Sequence, residues 1–455
     1  MMIRSRRDFL KDSVKSVAAL GAAGAMAKFG EMNAFAQTAG TGYQALVCVF
    51  LTGGNDGHNT IIPVSTAQQN YSLYSKNRGS IAIPQSTLLP ISNGNDVYGL
   101  HPSLPELQGL YNQGKAAVLA NVGMLVQPTT RTLYGSNNSA VIPTALFSHS
   151  DQASQWQTTI PNGIASSGWG GRVADLMQSQ NGGAIFPPIT TTATCGLFCT
   201  GQQTFPATVP PGGMATLNVV NKAPAAGAGM QQLLTFDNGL KLVQSGNQIM
   251  TRANTYANTL TGLLANVNLT TQFPGGNPAN PLAAQLQTVA KVMALRSQLG
   301  LTRQIFFCEL TGFDTHGQQS ATQTQLLLEL SQAIAAFYQA TQELGIDKSV
   351  TTFTASEFGR TLTPSGADGS DHAWGNHHFI IGGGVQGGKF YGTFPSLALG
   401  GTQDANMRGT LIPTTAVAQY GATLAKWFGV GQASLPSIFP NIVNFGAKPI
   451  LSFLG

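Results

Sequence analysis

Short apolar runs of strand length alternate along this chain with amphipathic helical patterns, and that alternation limits the possible fold more than any other feature. The first run, at 45–52, ends in Gly53-Gly54, which is typical of a buried strand followed by a tight turn. Further strand-like runs lie at 116–122, 304–311, 349–355 and 379–381. Helical patterns with one apolar stripe lie at 104–114, 282–299, 320–344 and 415–428. Strands that alternate with helices predict an α/β fold with a mostly parallel central sheet, covered by helices on both faces.

The boundaries of the helices and of the domain can also be predicted. The helix at 320–344 begins with Ser320 and Gln323 in the spacing of a capping box and stops at Gly345. Two segments rich in Pro, Gly, Ala and Asn, at 203–230 and 267–281, are interpreted as excursions from one core. We therefore expect residues 37–455 to form a single domain.

The first 36 residues have the three parts of an export signal in order. The segment 5–11, SRRDFLK, resembles a twin-arginine motif, and an apolar stretch follows at 17–27. Ala34-Phe35-Ala36 then offers the small residues that a signal peptidase needs. The apolar stretch is far shorter than the roughly 20 residues that cross a bilayer. We expect cleavage before Gln37 and a periplasmic or secreted protein, delivered by the twin-arginine route without stable membrane insertion.

Charged residues are scarce, at 9% of the chain against roughly 25% in an average soluble domain. The formal net charge is +5, but residues 1–36 hold six basic and three acidic residues, so the remainder is nearly balanced. No basic surface is predicted, and a nucleic-acid partner is not expected. Because acidic residues are rare, the positions that they do occupy are informative about function.

Four polar segments hold six of the seven histidines together with several acidic residues. They are 53–59, 147–152, 313–316 and 356–360, the last continuing to 370–378. Three of them directly follow a predicted strand, and ligands of open α/β sheets bind beyond the carboxyl ends of the strands. We therefore expect Asp56, Asp314 and Glu357 to converge, although carboxylates repel unless a cation or proton lies between them. Neighbouring imidazoles favour Zn, Mn or Fe over Ca.

Each of these segments also has a purely structural interpretation. Asp and Asn beside Gly are common turn formers, and an Asp at a strand end often caps the next helix. His101 stands apart from the four segments and is interpreted as a structural residue at the entry to the following helix.

The four cysteines do not indicate a metal site. Cys48 and Cys308 lie in predicted buried strands, where a lone cysteine behaves as a small apolar residue. Cys195 and Cys199 are compatible with a short disulfide in an oxidising compartment, and the sequence leaves this pairing open. A zinc knuckle is not favoured, because no second pair or nearby histidine completes a ligand set.

Several longer motifs follow one another over nearly all of the mature chain. They are FLTGGNDGHNTIIP at 50–63, GLHPSLPEL at 99–107, SH at 148–149, GWGGR at 168–172, FDTHGQQ at 313–319, SEFGRT at 356–361, GSDHAWGNHHFIIGGGVQGGKFYGTFP at 369–395 and IPTTAVAQYGATLAKWFG at 412–429. On these motifs the chain resembles the exported proteins called domain of unknown function 1501, which are similar to the alkaline phosphatase and sulfatase superfamily. The resemblance implies an alkaline phosphatase-like three-layer α/β/α sandwich with a metal site at the strand ends, and it implies no known substrate.

The order of the motifs also implies roles for single residues. Ser148 is implied as the nucleophile and Arg360 as the group that holds the remaining substrate oxygens, while His149 either protonates the leaving group or orients its loop. The implied ligands of one or two divalent ions, Zn or Mn, are Asp56, Asp314, His316, Glu357, Asp371, His372 and His378. Two departures concern the second metal: Asp314 and His316 are closer in sequence than in alkaline phosphatases, and Glu357 stands where the superfamily usually has Asp-His.

Two functions from different classes remain open. The first is an exported metal-dependent hydrolase of phosphate or sulfate esters, acting on a small-molecule or polymer substrate. The second is a non-catalytic protein of the same fold that binds a glycan, a polymer or a partner protein. A redox cofactor is not favoured, because the sequence lacks a haem attachment motif, a cysteine cluster for iron–sulfur and a His-Cys-His copper pattern.

Overall fold

The structure is a computed structural model. It describes residues 42–182, 184, 186–213, 224–237, 239–275, 279–446 and 449–455. The predicted export signal at 1–36, and parts of the two segments interpreted as excursions, lie outside the described residues.

Within the described residues, two sheets account for the strands. The strands are β1 (Gln44–Thr52), β2 (Ile61–Ser65), β3 (Leu89–Asn93), β4 (Asp96–Leu100), β5 (Ala116–Gly123), β6 (Ile189–Thr191), β7 (Ala207–Thr208), β8 (Arg303–Thr311), β9 (Val350–Ala355), β10 (Asn376–Ile381), β11 (Phe390–Tyr391) and β12 (Thr415–Ala416). The large sheet has the order β11-β5-β10-β9-β1-β8-β6-β7, with β12 also paired to β5. The small sheet is antiparallel, in the order β2-β4-β3.

The large sheet is mostly parallel, as predicted. β1 pairs in parallel with β8 on one side and with β9 on the other. β10 is the exception, since it is antiparallel to both β5 and β9. The carboxyl ends of β9, β1 and β8 therefore lie side by side near the middle of the sheet.

Helices cover both faces of this sheet. They are α1 (Gly57–Thr60), α2 (Tyr71–Arg78), α3 (Pro105–Asn112), α4 (Arg131–Gly135), α5 (His149–Thr158), α6 (Trp169–Met177), α7 (Pro224–Thr235), α8 (Lys241–Leu264), α9 (Pro281–Ala294), α10 (Gln319–Glu343), α11 (Val417–Trp427) and α12 (Leu435–Ile438). Successive side chains of a strand point to opposite faces. Val47 and Val49 of β1 therefore join a core with α9 and α10, while Cys48 and Phe50 join a second core with α6 and α11. Burial on both faces explains the unbroken apolar sequence of β1, and the three-layer α/β/α prediction is confirmed.

The predicted capping box is wrong. α10 begins at Gln319, after Gln318 in the left-handed region with φ 50°, so Ser320 lies inside the helix. The Gln323 amide instead donates to the carbonyl of Asp56 at 2.9 Å. The predicted end of this helix is confirmed, because Gly345 adopts φ 66° directly after the last turn.

Two further features follow from the packing. All four cysteines are free thiols, so Cys195 and Cys199 form no disulfide in this structure. In the described part of the chain, no helix combines the length and the apolar character that a membrane span requires.

Candidate metal centre

Three loops meet beyond the carboxyl ends of the adjacent strands β1, β8 and β9. The β1 loop begins with Gly53, which adopts φ 120°, and a Cβ atom on Gly53 would overlap the backbone of Phe313 and Asp314 in the β8 loop. Only glycine combines this backbone conformation with so close an approach. The Gly-rich motif after β1 therefore allows the two loops to touch.

The buried side chain of Arg360 holds these loops together. Its guanidinium donates to the carbonyl oxygens of Gly54 at 2.9 Å, Ser370 at 2.9 Å and Gly53 at 2.7 Å. It also contacts the carboxylate of Asp314. Because its donors are directed at groups of the protein itself, Arg360 has a positioning role here, which differs from the implied contact with substrate oxygens.

Three imidazole rings converge on one oxygen of Asp314. The Nε2 atoms of His316 and His372 lie 3.2 Å from Asp314 Oδ1, and Nε2 of His149 lies 3.4 Å from it. Nε2 of His316 is 2.9 Å from Nε2 of His372. The ligand atoms of His149, Asp314 and His372 all lie within 4.8 Å of one another. Tetrahedral zinc, with bonds of roughly 2.0–2.1 Å, separates its ligands by about 3.3 Å, which matches the 3.2–3.4 Å distances from the three Nε2 atoms to Asp314 Oδ1.

Each of the three rings is oriented through its other nitrogen, Nδ1. The oxygen partners of Nδ1 are the Phe147 carbonyl for His372 (2.7 Å), Asp371 Oδ1 for His316 (3.2 Å) and Glu357 Oε1 for His149 (2.9 Å). Because these oxygens accept, each Nδ1 carries a hydrogen, so the neutral form of each ring has its lone pair on Nε2, toward Asp314.

Three lone pairs that face a carboxylate repel one another unless a cation or protons lie among them. The Nε2 atom of His149 is buried and has no hydrogen-bond partner among the described residues. Metal-binding histidines usually donate the second ring N–H to a carboxylate or a carbonyl, which is the arrangement found here. The cluster formed by His149, His316, His372 and Asp314 therefore fits a divalent ion.

The charge states of Asp314 and His372 suit this chemistry. Partial burial acts to raise the pKa of Asp314, but the hydrogen bond and charge of Arg360 outweigh it and lower the pKa to about 2. Burial lowers the pKa of His372. The hydrogen bond to Glu357 raises the pKa of His149 against the effect of burial. Near neutral pH, Asp314 is therefore anionic and His372 neutral, which are the protonation states that bind metals.

Asp56 does not join this cluster. Its carboxylate caps α1 by accepting the N–H of His58 at 3.0 Å, pairs with Arg78, and accepts from the Gln319 amide. Both members of the Asp56–Arg78 pair are buried, and a buried guanidinium requires a carboxylate close by. The structure thus gives Asp56 a structural role in place of the implied metal ligation.

His378 also lies apart from the cluster, within β10. Its ring stacks on Tyr420 with centroids 6.0 Å apart and meets the edge of Trp156 at 6.0 Å. Burial lowers its pKa to about 3, so the ring is a neutral core group and not the implied ligand. Glu357 and Asp371, two further implied ligands, contact Nδ1 atoms of the histidines and orient them.

An open cavity of about 440 Å³ lies in front of the cluster. It is lined by Thr52, Gly53, His149, Ser150, Ala153, Gly312, Asp314 and Glu357. Ser148 is the N-cap residue of α5, but its hydroxyl donates to Asp151 Oδ2 at 2.5 Å instead of capping the helix. Ser150, which the sequence analysis did not single out, lines the cavity itself. The signal for Ser150 was its place in the first turn of a helix that starts at the SH motif.

Phe147 is a second residue that sequence reasoning missed. It adopts φ 73°, a conformation that is rare for a bulky residue, directly before the N-cap of α5. This conformation accompanies the contact between its carbonyl oxygen and Nδ1 of His372. Unusual backbone conformations of this kind cluster at functional sites.

Solved structures similar to this chain include the following three. The C-terminal periplasmic domain of EcEptC from Escherichia coli, in complex with Zn, has 10% identity over 90% of this chain and 89% of that chain, with a TM-score of 0.36. The lipoteichoic acid synthase LtaP from Listeria monocytogenes has 8% identity over 86% and 72%, with a TM-score of 0.34. PsFucS1 sulfatase from Pseudoalteromonas sp. has 10% identity over 89% and 71%, with a TM-score of 0.36. These values describe a distant likeness and carry no inference about ligand or substrate.

Sequence comparison gives a more definite result. No curated protein matches the chain. The family described as "Protein of unknown function (DUF1501)" matches residues 43–422, a range that includes the four residues of the cluster. Since this match spans well over half of the sequence, the chain belongs to the DUF1501 family.

Proposed function

We propose that this protein is an exported, metal-dependent hydrolase of phosphate or sulfate esters. The observation that carries the proposal is the convergence of three Nε2 atoms on Asp314 while an oxygen atom holds each Nδ1. His149, His316, His372 and Asp314 would hold a divalent ion, Zn or Mn. When bound, such an ion supplies positive charge for ester oxygens that become negative during hydrolysis.

The residues around the cluster have separable roles in this proposal. Glu357 and Asp371 keep two of the histidines in the tautomer that exposes Nε2. Ser148 and Ser150 are the candidate nucleophiles at the start of α5. The carboxylate of Asp151 lies 2.5 Å from the Ser148 hydroxyl and is within reach to accept its proton.

Export is the part of the proposal that rests on the sequence alone. The twin-arginine motif, the short apolar stretch and the cleavage site support it. N-terminal sequencing of the protein from a periplasmic fraction tests it. We expect a chain that begins at Gln37, and a full-length chain confined to the cytoplasm would contradict export.

Hydrolysis is tested with chromogenic aryl esters and purified protein, with and without added Zn or Mn. We expect turnover of at least one aryl phosphate or sulfate that depends on the added metal and falls by about a hundredfold or more in His372→Ala. His101→Gln is the matched control, because His101 lies outside the cluster and accepts the N–H of Ser103. Turnover that is the same with and without added metal, and the same in the wild type and His372→Ala, would contradict the proposal.

A non-catalytic binding protein is the second candidate. It is favoured by one observation, that the donors of Arg360 are directed at loop carbonyls and at Asp314. The hydrolysis test separates the two candidates. Stoichiometric metal binding with no turnover of any ester in the panel would favour the binding protein.

A further inference from the structure

We infer that this site selects esters whose tetrahedral group carries one negative charge over phosphate monoesters, which carry two. The preferred class comprises sulfate monoesters and phosphate diesters. The inference rests on the proposed hydrolytic function and adds to it the charge of the substrate.

The lining of the cavity offers carboxylates and no fixed cation. Asp314 and Glu357 both line it, and no lysine or arginine is among the described residues that do so. The remaining lining groups are histidine, hydroxyl, methyl and backbone groups. An anionic ester therefore meets negative side chains without an arginine to offset them.

Three further carboxylates lie directly behind or beside the lining. Glu309 accepts the hydroxyl of Thr52 at 2.6 Å. Asp371 lies beside His316, with Oδ1 at 3.2 Å from Nδ1, and His316 in turn contacts the lining residue Asp314. Asp151 belongs to the first turn of α5, next to Ser150, and so offsets the positive end of that helix.

Two guanidinium groups partly offset the negative charge of these five carboxylates. Arg360 is buried and bound to loop carbonyls as well as to Asp314. Arg408 pairs with Asp371 at 2.7 Å. The charges of these seven side chains therefore sum to about −3, before any bound ion is counted.

A divalent ion in the cluster would change the sum of these charges from about −3 to about −1. A singly charged ester adds one negative charge to it, and a phosphate monoester adds two. The start of α5 offers only about half a positive charge. Because unit charges several Å apart near a protein surface change an equilibrium by roughly tenfold or more, the second charge is strongly disfavoured.

A matched pair of non-hydrolysable ligands tests the inference by binding alone. Benzenesulfonate carries one negative charge and phenylphosphonate carries two at pH 8.5, and the two molecules have nearly the same shape. Isothermal calorimetry on the metal-loaded protein should give a Kd for benzenesulfonate that is lower by about tenfold. Equal binding, or tighter binding of phenylphosphonate, would overturn the inference.

Kinetics then distinguish the two members of the preferred class. 4-Nitrophenyl sulfate and bis(4-nitrophenyl) phosphate each carry one charge, whereas 4-nitrophenyl phosphate carries two at pH 8, since its second pKa is near 6. We expect kcat/KM for 4-nitrophenyl sulfate, for bis(4-nitrophenyl) phosphate or for both to exceed kcat/KM for 4-nitrophenyl phosphate by about tenfold. The faster of the two identifies the ester.

A charge-removing variant connects the selectivity to the carboxylates. Asp151→Asn should reduce the ratio of the Kd for phenylphosphonate to the Kd for benzenesulfonate by about threefold. Asp347→Asn, which removes one charge just before β9 at the opposite end of the sheet, should leave the ratio unchanged. An equal effect of both variants would overturn the assignment of selectivity to this site. If no ester is hydrolysed, the proposed hydrolytic function is wrong, and calorimetry still decides the charge preference of the site. If the phosphate monoester and phenylphosphonate are preferred, the hydrolytic function is retained and the inferred charge preference is wrong.

Discussion

The buried guanidinium of Arg360 joins the loops that follow β1, β8 and β9, so replacing it should loosen the site as a whole. Lysine keeps the charge but cannot reproduce the forked contacts. We expect Arg360→Lys to reduce the free energy of unfolding by at least about 3 kcal/mol, measured by urea denaturation. Arg408→Lys is the control, because the Arg408 side chain is 43% exposed and its ion pair should contribute no more than about 1 kcal/mol. Small and equal losses in the two variants would contradict the positioning role.

The two serines at the start of α5 can be separated by single substitutions. If Ser148 is the nucleophile, Ser148→Ala abolishes turnover and Ser150→Ala only reduces it; if Ser150 is, the outcomes are reversed. We expect one of the two variants to lose turnover while it retains its metal content and thermal midpoint, since neither hydroxyl caps the helix. The measurement is steady-state hydrolysis together with metal analysis. Retained turnover in both variants would exclude Ser148 and Ser150 as the nucleophile.

At the residue scale, the sequence indicated most of the candidate cluster. Asp314 could be selected because it follows a strand in a chain with few charged residues, whereas His316 and His372 were implied as ligands by the family resemblance. Asp56 satisfied the same criterion, yet its role depends on Arg78, whose proximity no local pattern reveals. The tautomer of His372 likewise depends on the backbone of a distant residue. Long-range partners therefore decide which of several similar polar residues face the cavity.

At the element scale, the turn after β1 requires glycine at residue 53. Gly53→Ala would place a Cβ atom against the backbone of the β8 loop, in a backbone conformation that alanine avoids. We expect this variant to lose both thermal stability and metal affinity, because the β8 loop carries Asp314 and His316. Gly94→Ala is the matched control: Gly94 also has a positive φ, of 62°, but no atom lies within 4 Å of the added Cβ. The free energy of unfolding of Gly94→Ala should fall by only about 1 kcal/mol, and its metal affinity should be unchanged. Similar metal affinities in the two variants would show that the close contact between Gly53 and the β8 loop does not position the metal ligands.

Elements buried on two faces were the most predictable. β1 was predicted because its apolar run is unbroken. α8 was not predicted, and only Ala257 and Leu260 of its side chains are buried, while Leu242 is 85% exposed and Ile249 is 66% exposed. Leu242, Ile249, Tyr256 and Leu263 recur every seven residues, which is a helical stripe that the sequence carries, but only the C-terminal part of this stripe packs against the core. The antiparallel orientation of β10 was also not predictable, since it depends on pairing with β5 and β9 from distant parts of the chain.

At the scale of the whole molecule, buried neutral histidines should make stability depend on pH. Burial lowers the pKa of His58 to about 4, of His378 to about 3, and of His377 well below 6.5. The folded-state pKa of each lies below its unfolded value, so the unfolded chain binds more protons as the pH falls through 6.5. The stability that these groups contribute is complete above pH 6.5 and is lost progressively at lower pH.

We expect the free energy of unfolding, from urea denaturation, to fall between pH 7.5 and pH 5, by up to about 2 kcal/mol for each such histidine. His378→Gln removes one titrating group and should lose less free energy over the same interval than the wild type, whatever its stability at pH 7.5. Equal losses in wild type and variant would show that His378 is not a neutral buried group.

We propose that His149, His316, His372 and Asp314 hold a divalent ion at the carboxyl ends of β1, β8 and β9. The most direct test is elemental analysis of the dialysed protein after incubation with Zn or Mn, beside the variants His372→Ala and His101→Gln. We expect at least about one tightly held ion per chain in the wild type and in His101→Gln. In His372→Ala we expect at least a tenfold weaker affinity, with a largely unchanged thermal midpoint of the metal-free protein, if the site exists. A wild type that retains no ion, or a His372→Ala variant that binds metal as tightly as the wild type, would contradict this proposal.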